Sequence, residues 1–471
     1  MLEVRPRPVA LPPYRQIFGD QRMSRLLAAA RRAQHRLGDR TVWQVNSTAA
    51  GGGVAELLHS LVPLARAVGM DVRWLVIDGD PEFFTIAKRL CTRLYGAPGD
   101  GGPLGPAELA RFREVNDQNS TALAERVRPG DVVVVHDPQP AGLVGTVRAL
   151  GATALWWGHV GTDEPNEHTR EAWAFLRPFV EVADATVFLT AGHVPGWAPR
   201  PAVIPPSTDP CSPKNMALGD AEAAEILGAV GVRHPPAMLP VRVSTPLGEE
   251  VVVRRPALVT RDGPPPPASA PMVVQVSRWD ELKDMAGVLH AFIAAGEPGA
   301  HLTLAGADVR GVCDDPQAAR MFEDCRRQWS ALPARLRSRC QLVCLPMEDL
   351  AENAVVVNAM QQNASVVVQK SLAEGFGLTA TEAMWKSRPV LASAVGGLRE
   401  QVVDGESGLL ATDPHDTAAA AQAIRRLLTD RAFAEKLGTN ARRRVAEKFL
   451  PDRHLLDWAR LFEDAVSLEV A

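Results

Sequence analysis

Two glutamates separated by seven residues frame a glycine-bearing turn in the last quarter of the chain. Residues 374–382 read Glu-Gly-Phe-Gly-Leu-Thr-Ala-Thr-Glu, and residues 365–369 before them form an apolar run typical of a buried strand. Glu374 precedes the glycines and Glu382 lies about one turn into a predicted helix. The first N–H groups of a helix are unpaired and carry the positive end of its dipole, which suits a phosphate. Carboxylates on both sides can accept hydrogen bonds from hydroxyl groups, which predicts a nucleotide-sugar site.

The same spacing has a purely structural explanation. Thr379 and Glu382 fit a capping box, in which the glutamate accepts a hydrogen bond from a backbone N–H at the helix start. Glu374 would then be a solvated loop acid. The other motifs of the chain favour the ligand site.

Two cations follow another predicted strand, residues 272–277. Arg278 and Lys283 are five residues apart at the turn into the next helix. A guanidinium fork and an ammonium point charge together suit a diphosphate. In the alternative, the turn is solvated and Asp280 or Glu281 pairs with these cations.

A glycine triplet, residues 51–53, joins a predicted strand at 41–46 directly to a helix that ends near residue 68. Such a junction leaves backbone N–H groups available to an anion or a sugar. It lacks the full G-x-G-x-x-G spacing, so a flexible turn is an alternative explanation.

Polar side chains end two predicted strands of the first half of the chain. His136 and Asp137 follow one apolar run, and His159 follows the next. Open parallel sheets bind ligands at the carboxyl ends of their strands. A strand-end histidine is often structural, but two histidines beside an aspartate favour a functional site.

These motifs resemble the signature of retaining GT-B glycosyltransferases of family 4. The resemblance includes the Glu-x7-Glu and Arg-x4-Lys spacings and three further segments, namely Pro-Val-Leu-Ala at 389–392, Gly-Gly at 396–397 and Asp-Gly-x-x-Gly at 404–408. Within the family, the chain is most similar to the trehalose glycosyltransferring synthases. The matching blocks are residues 45–56, 135–139 and 204–210. The similarity extends from about residue 41 to the C-terminal part of the chain.

The resemblance implies a role for each of these residues. Catalysis would depend on His159, Glu374, Arg278 and Lys283. The donor would be bound by Gly52, Gly53, Arg278, Lys283, Glu374, Gly375, Phe376, Gly377, Leu378 and Glu382. Glu382 would hold the ribose, Glu374 the hydroxyls of the donor sugar, and His159 the sugar near its anomeric centre or its 6-hydroxyl. The acceptor would contact Asp137 and Gln139.

The implied reaction moves glucose from UDP-, ADP- or GDP-glucose to glucose and forms trehalose with retained configuration. The leaving phosphate would itself take the acceptor proton in a front-face substitution, although a covalent glycosyl-enzyme stays open. No cofactor or metal is required on this scheme, because Arg278 and Lys283 neutralise the leaving group; Mg²⁺ remains an option but is not predicted to be essential.

One segment departs from the family and keeps other functions open. The family usually has His-Ile-Asp where this chain has His159-Val-Gly-Thr-Asp163, so the acid is displaced by two positions. The alternatives are transfer to another small polyol, an aminocyclitol or a natural product, and a trehalose phosphorylase. A non-catalytic sugar-nucleotide sensor is a further alternative, against which both intact motifs argue.

Composition excludes several classes of protein. The 471 residues are 46% hydrophobic and 23% charged, with 51 Lys and Arg against 55 Asp and Glu, a net charge of −4. The chain has no excess of basic residues, so its composition gives no indication of a nucleic-acid partner. Six cysteines without a C-x-x-C pair predict buried thiols in a reducing compartment. No signal peptide and no long apolar run is evident, so we expect a cytoplasmic protein without a membrane span. Small-molecule sugars are the expected partners, and a homodimer stays open.

Alternating strands and helices predict an α/β protein with two facing, doubly wound Rossmann-like domains and a cleft between them. By resemblance, the C-terminal helix crosses back onto the first domain. The predicted division is an N-terminal arm and helix at 1–40, the acceptor domain at 41–212, a linker with a β-hairpin at 213–271, the nucleotide-sugar domain at 272–450 and the crossover helix at 451–471.

Overall fold

The computed structural model describes residues 1–309 and 316–467, which form two compact units. Unit 1 comprises Met1–Ser207, Glu374–Phe376 and the described residues from Phe449 onward. Unit 2 comprises the described residues of Thr208–Ala373 and Gly377–Lys448. Each unit contains one large β-sheet.

Unit 1 has a sheet of seven strands among its described residues, in the order β1-β3-β2-β4-β5-β6-β7. Its strands are β1 (Leu2–Val4), β2 (Val42–Asn46), β3 (Val72–Val76), β4 (Val132–His136), β5 (Thr153–Gly158), β6 (Ala185–Phe188) and β7 (Pro201–Val203). Only β1 runs antiparallel to its neighbour in this described sheet. Every residue of β2, β4 and β5 is buried, as expected when helices cover both faces of a parallel sheet.

The helices of unit 1 bury apolar side chains against the sheet and against one another. They are α1 (Leu11–Phe18), α2 (Asp20–Leu37), α3 (Gly53–Ala67), α4 (Pro81–Leu94), α5 (Pro106–Ala124), α6 (Leu143–Ala149) and α7 (Glu167–Val180). Aromatic rings fill the core between helices and sheet; Phe112 lies 5.8 Å from Phe83 and 5.4 Å from Phe175, centroid to centroid. Helix α3 packs on β2 and β3, and helix α6 packs on β4 and β5.

Unit 2 repeats this architecture with the strand order β10-β13-β12-β11-β14-β15-β16. The strands are β10 (Leu258–Thr260), β11 (Met272–Val276), β12 (His301–Ala307), β13 (Cys340–Leu345), β14 (Val366–Gln369), β15 (Val390–Ser393) and β16 (Leu409–Ala411). Its helices are α8 (Asp220–Ala229), α9 (Met285–Ala295), α10 (Pro316–Ser330), α11 (Ala334–Arg337), α12 (Leu350–Gln362), α13 (Leu378–Trp385), α14 (Gly397–Gln401), α15 (Thr417–Thr429) and α16 (Arg431–Lys448). The edge strand β10 is antiparallel, and the remaining pairs are parallel.

The predicted β-hairpin is present as β8 (Val241–Ser244) and β9 (Glu250–Val253), paired antiparallel. It is part of unit 2. Glu352 of α12 anchors it, because one of its carboxylate oxygens accepts the backbone N–H groups of Arg254 at 2.6 Å and Arg255 at 2.7 Å. The carboxylate is buried and also pairs with the Arg255 guanidinium. The insertion is therefore a packed part of the second unit and not a loose connector.

The last helix, α17 (Pro451–Ser467), packs in unit 1 against α2. The Arg22 guanidinium donates to both carboxylate oxygens of Asp452, each at 2.6 Å. The two ends of the chain thus meet in one unit, as the predicted fold class required.

The structure differs from the predicted domain limits in three places. The segment 1–40 is not an arm, since β1 is an edge strand of the sheet and α1 buries Tyr14 and Phe18. The linker at 213–271 lies within unit 2, and Glu374–Phe376 groups with unit 1. Strand β1 has only three residues, too few to show a hydrophobic periodicity, so its pairing with β3 depends on tertiary structure.

The structure also bears on the cysteines and on a possible membrane span. Cys91 is half-buried, and Cys211, Cys325, Cys340 and Cys344 are buried thiols; Cys313 lies outside the described residues. Burial raises the pKa of the Cys325 and Cys340 thiols to about 12. Across residues 1–309 and 316–467, no helix is long and apolar enough to cross a membrane.

Candidate active site

The carboxyl ends of β4 and β5 bring Asp137 and His159 together in unit 1. Asp137 has a positive φ of 67°, its N–H donates to Trp157 O at 2.8 Å, and its carboxylate oxygen Oδ1 accepts the His159 backbone N–H at 2.7 Å. Burial raises the pKa of the Asp137 carboxyl to about 7, and the hydrogen bond from His159 opposes this shift. An acid that titrates near neutrality, at a strand end, is a candidate for ligand binding.

A chain of three side chains leads from the sheet interior to His159. Gln44 Oε1 lies 2.7 Å from His136 Nε2, and His136 Nδ1 lies 2.8 Å from His159 Nε2. Burial lowers the pKa of His159 to about 3 and the pKa of His136 well below its usual value. Both rings are therefore neutral at physiological pH.

The turn at Glu374–Phe376 lies against this strand end. A Cβ atom added to Gly375 would sit 2.5 Å from the His159 carbonyl oxygen and 3.0 Å from the Tyr95 hydroxyl, so only glycine permits the approach. Phe376 packs on Phe449 with ring centroids 5.6 Å apart. Glu374 is 8% exposed. Glu374, which was predicted to bind the donor sugar, thus directly precedes Gly375 on the turn that contacts His159 within unit 1.

The glycine triplet and Gln139 complete the candidate residues of unit 1. Gly52 has φ 146° and precedes α3, which begins at Gly53, and both glycines are exposed. The Gln139 side-chain nitrogen donates to Cys91 Sγ at 3.6 Å. Among the described residues, the buried Gln139 Oε1 has no hydrogen-bond partner. A buried acceptor without a partner suits a ligand hydroxyl.

In unit 2, α13 begins where the sequence predicts a phosphate-binding turn. Gly377 has φ 87° and precedes the helix, whose first residue is Leu378. No described side chain caps this end. The capping-box alternative is wrong because Thr379 lies inside the helix, so it cannot be the cap.

Glu382 lies in a buried polar network that the sequence does not reveal. It is 3% exposed, accepts a hydrogen bond from Gln361 Nε2 at 3.3 Å and lies 3.4 Å from Lys214 Nζ. Lys386 donates to Gln361 Oε1 at 2.9 Å and to Asn215 Oδ1 at 3.2 Å. Lys214 and Asn215 are far from Gln361, Glu382 and Lys386 in the sequence, so no local pattern indicates this network.

The two predicted diphosphate cations follow β11 of unit 2. The Arg278 side chain is 66% exposed, with a guanidinium nitrogen 3.0 Å from Asp280 Oδ2. Lys283 is half-buried at the end of a short 3-10 turn, Glu281–Lys283. Asp280 is thus the partner that the solvated-turn alternative required, although that contact leaves the guanidinium accessible.

A third cation near this turn was missed from the sequence. The ammonium group of Lys370, directly after β14, pairs with Asp284 and donates to Pro414 O at 2.7 Å. Lys370 is 2% exposed, so its contacts hold the start of α9 in place. Among the described residues, no group of three or more His, Cys, Asp or Glu side chains could hold a metal ion.

Comparison with known proteins agrees with this architecture. Residues 44–195 match the family described as "Trehalose synthase, N-terminal domain", and residues 351–444 match "Glycosyl transferases group 1". A trehalose synthase from Rubrobacter xylanophilus is 34% identical over 465 residues, covering 98% of each chain.

Two solved structures share the fold at low sequence identity. A trehalose-6-phosphate synthase from Burkholderia multivorans has a TM-score of 0.64 and 16% identity, covering 92% of this chain and 100% of that one. The Anabaena protein HepE, solved with UDP and glucose, has a TM-score of 0.60 and 13% identity, covering 90% of this chain and 100% of that one.

Two seven-stranded Rossmann-like sheets and the group 1 domain define a glycosyltransferase with the GT-B fold. From its identity to the Rubrobacter protein over nearly the full length of both, the chain belongs to the trehalose synthase family. It is therefore a trehalose-related glycosyltransferase.

Proposed function

We propose that this enzyme transfers glucose from a nucleotide-diphosphate glucose to a second glucose and releases trehalose with the donor configuration retained. The observation that supports it most is the contact of the Gly375 turn with the His159 backbone in unit 1. Within unit 1, it brings the turn that carries Glu374 to the strand end that carries Asp137. A hexose at this strand end would meet a carboxylate and an imidazole.

Unit 2 would bind the nucleotide part of the donor. Arg278 and Lys283 would neutralise the diphosphate as it leaves, which stabilises developing negative charge. The uncapped first N–H groups of α13 would contact a phosphate, and Glu382 would accept hydrogen bonds from the ribose. The UDP bound to the related HepE fold supports UDP-glucose as the first donor to test.

In the transfer step, the acceptor hydroxyl oxygen would form a bond to C1 of the donor glucose while the C1–O bond to the diphosphate breaks. The departing phosphate oxygen would take the hydroxyl proton from the same face, so the configuration is retained. This balance needs no further base and no cofactor. A covalent glycosyl-enzyme intermediate is the alternative.

The acceptor pocket would discriminate through paired hydroxyl groups. Asp137 and the Gln139 Oε1 atom offer acceptors to glucose hydroxyls, and a sugar that lacks one leaves a buried group without a partner. Asp163, the displaced acid, has an oxygen 3.7 Å from His193 Nε2.

The test is a donor-by-acceptor assay on the purified full chain. UDP-, ADP- and GDP-glucose are each combined with glucose or an aminocyclitol, and a parallel reaction contains trehalose and inorganic phosphate. Products are identified by mass and by the anomeric couplings in NMR spectra. We expect α,α-trehalose from at least one donor, with the rate unchanged when EDTA is present.

Three results would contradict the proposal. Glycosylation of the aminocyclitol without any trehalose would assign the enzyme to another acceptor. Glucose 1-phosphate formed faster from trehalose and phosphate than trehalose from any donor would assign a phosphorylase. Nucleotide binding without any turnover would favour a sensor.

A further inference from the structure

The tautomer of His159 follows from the hydrogen-bond chain that contains His136. Gln44 lies in β2 and His136 at the end of the neighbouring strand β4, while His159 directly follows β5, which pairs with β4. Gln44 and His136 are both 0% exposed. Both side chains are closed to bulk solvent, so their protein partners determine where the protons of this hydrogen-bond chain lie.

Gln44, at the buried end of this hydrogen-bond chain, determines which ring nitrogens donate and which accept. An amide oxygen only accepts, so His136 Nε2, 2.7 Å from Gln44 Oε1, carries the proton of that ring. A neutral imidazole has one N–H, so His136 Nδ1 is an acceptor. It lies 2.8 Å from His159 Nε2, which must then donate. The remaining nitrogen of His159, Nδ1, is left with a lone pair.

The rings cannot easily turn to another arrangement. The His136 ring stacks on Trp157 with centroids 5.6 Å apart, and the His159 ring stacks on Trp157 at 5.4 Å with only 10° between the planes. Asp137 holds the His159 backbone through the 2.7 Å hydrogen bond. The packing therefore keeps Nε2 of His159 directed at His136.

We propose that His136 is a positioning residue, which holds His159 in the tautomer protonated at Nε2 so that Nδ1 accepts a hydrogen bond from a hydroxyl group of the bound hexose. The ligand part of this inference rests on the proposed function, but the tautomer does not. An N–H at Nδ1 would instead donate to the sugar, and so would select a different orientation of its hydroxyl groups.

The direct test is NMR of the full chain with ¹⁵N-labelled histidine, because protonated and lone-pair ring nitrogens differ in chemical shift. The His159→Gln variant assigns the signals. We expect His159 with a protonated Nε2 and an unprotonated Nδ1 in the wild-type protein. The opposite tautomer, or a mixture of both, would overturn the proposal, whatever the enzyme transfers.

The second test uses His136→Phe, which keeps a ring on Trp157 but removes the Nδ1 acceptor. We expect the His159 signals to move to the other tautomer or to a mixture, and kcat/KM for the nucleotide-sugar to fall about 10-fold, the effect of one hydrogen bond. His136→Gln, whose amide oxygen can again accept, should recover part of this loss.

The matched control is His454→Phe. His454 lies in the same aromatic cluster, 5.6 Å from Trp157, but makes its hydrogen bond to Ser207. We expect this variant to keep the wild-type tautomer of His159. If His136→Phe also keeps it, His136 does not set the tautomer. If the tautomer changes as expected but no donor is turned over, the proposed function fails and the positioning role stands.

Discussion

At the scale of single residues, the two cations after β11, Arg278 and Lys283, differ in how exposed their side chains are. The Arg278 side chain is 66% exposed and pairs with Asp280 at its surface, whereas Lys283 is half-buried on a 3-10 turn. An exposed ion pair contributes little to folding, about 0–1 kcal/mol. Arg278 can therefore exchange Asp280 for a phosphate at little cost in stability.

We expect Arg278→Ala and Lys283→Ala each to lower turnover by about 10²–10³-fold, because each removes a charge that stabilises the leaving diphosphate. The melting temperature of Arg278→Ala should be close to that of the wild type. Arg431→Ala is the matched control, since Arg431 is an exposed arginine of unit 2 that pairs with Glu435 within α16. Near-wild-type turnover in both site variants would refute the diphosphate assignment.

Asp137 predicts a pH dependence of stability. Burial raises the pKa of its carboxyl to about 7, so between roughly pH 4 and pH 7 the folded chain holds a proton that the unfolded chain has lost. The contribution of Asp137 to the free energy of unfolding therefore falls as pH rises through this window and is constant above it. Asp137→Asn keeps an oxygen for the His159 N–H but cannot ionise.

Compared with the wild type, Asp137→Asn should gain about 2–3 kcal/mol of stability between pH 5 and pH 8, since the folded and unfolded chains differ in protonation over most of that range. Denaturant unfolding at both pH values measures the difference, and the exposed Asp117→Asn of α5 controls for the loss of one carboxylate in the same unit. An equal difference between Asp137→Asn and wild type at both pH values would contradict the raised pKa.

At the scale of elements, α13 combines an uncapped start with a buried polar network one turn later. The start at Gly377 leaves backbone donors for a ligand, while Glu382 is held by Gln361 and Lys214. The network changes the expectation for Glu382. Because the side chain is 3% exposed and already paired, we expect its replacement to affect the fold as well as the proposed binding of the ribose.

Glu382→Gln should weaken UDP binding by roughly 10-fold or more, since a neutral amide is a poorer acceptor for hydroxyl groups than a carboxylate. It should also lower the melting temperature, as Lys214 loses its counter-ion. Lys214→Met leaves the buried carboxylate without its cation, and we expect it to be less stable than the Lys214→Met/Glu382→Gln double variant.

Calorimetric UDP titration and thermal unfolding of the four proteins separate the two effects. We expect UDP affinity to fall in both variants that carry Glu382→Gln, the single and the double one. The stability loss of the double variant should be smaller than the sum of the two single losses. Unchanged UDP affinity in Glu382→Gln would leave Glu382 with a structural role alone.

At the scale of the whole molecule, unit 1 is built from both ends of the chain. Asp452 of α17 is 3% exposed and binds the Arg22 guanidinium of α2 through both oxygens. A bidentate, charge-assisted pair of this kind is among the stronger hydrogen-bonded contacts in proteins. Contacts of this sequence separation make the folding of unit 1 depend on the last segment of the chain.

We expect Asp452→Asn to destabilise unit 1 by roughly 1–3 kcal/mol, since it leaves Arg22 with an incomplete partner in a poorly hydrated place. Asp457→Asn is the control on the same helix: Asp457 is 24% exposed and pairs with Arg453 one turn away, a contact worth less than about 1 kcal/mol. Hydrogen exchange of α2 amides reports the change, and equal protection in both variants would contradict this account.

The sequence by itself determined the fold class, the family and the positions of most candidate ligand residues. A continuous apolar run such as β4 is typical of a buried strand in a covered parallel sheet. Arg278 lies just after β11, and the Gly377 turn lies in the segment that joins β14 to α13. These are local patterns, so no long-range contact was needed to read them. The hairpin of β8 and β9 was readable for the same reason.

Tertiary structure alone decided which partners these residues have. Gln44 and His136 are 92 residues apart, and Arg22 and Asp452 are 430 apart, so no periodicity connects them. The pairing of Glu382 with Lys214, the strand β1 and the contact of Gly375 with His159 likewise depend on how distant segments pack. Residue types and spacing carry the chemistry of a site, but hydrogen-bond partners, burial and hence pKa values arise only when remote strands and helices come together.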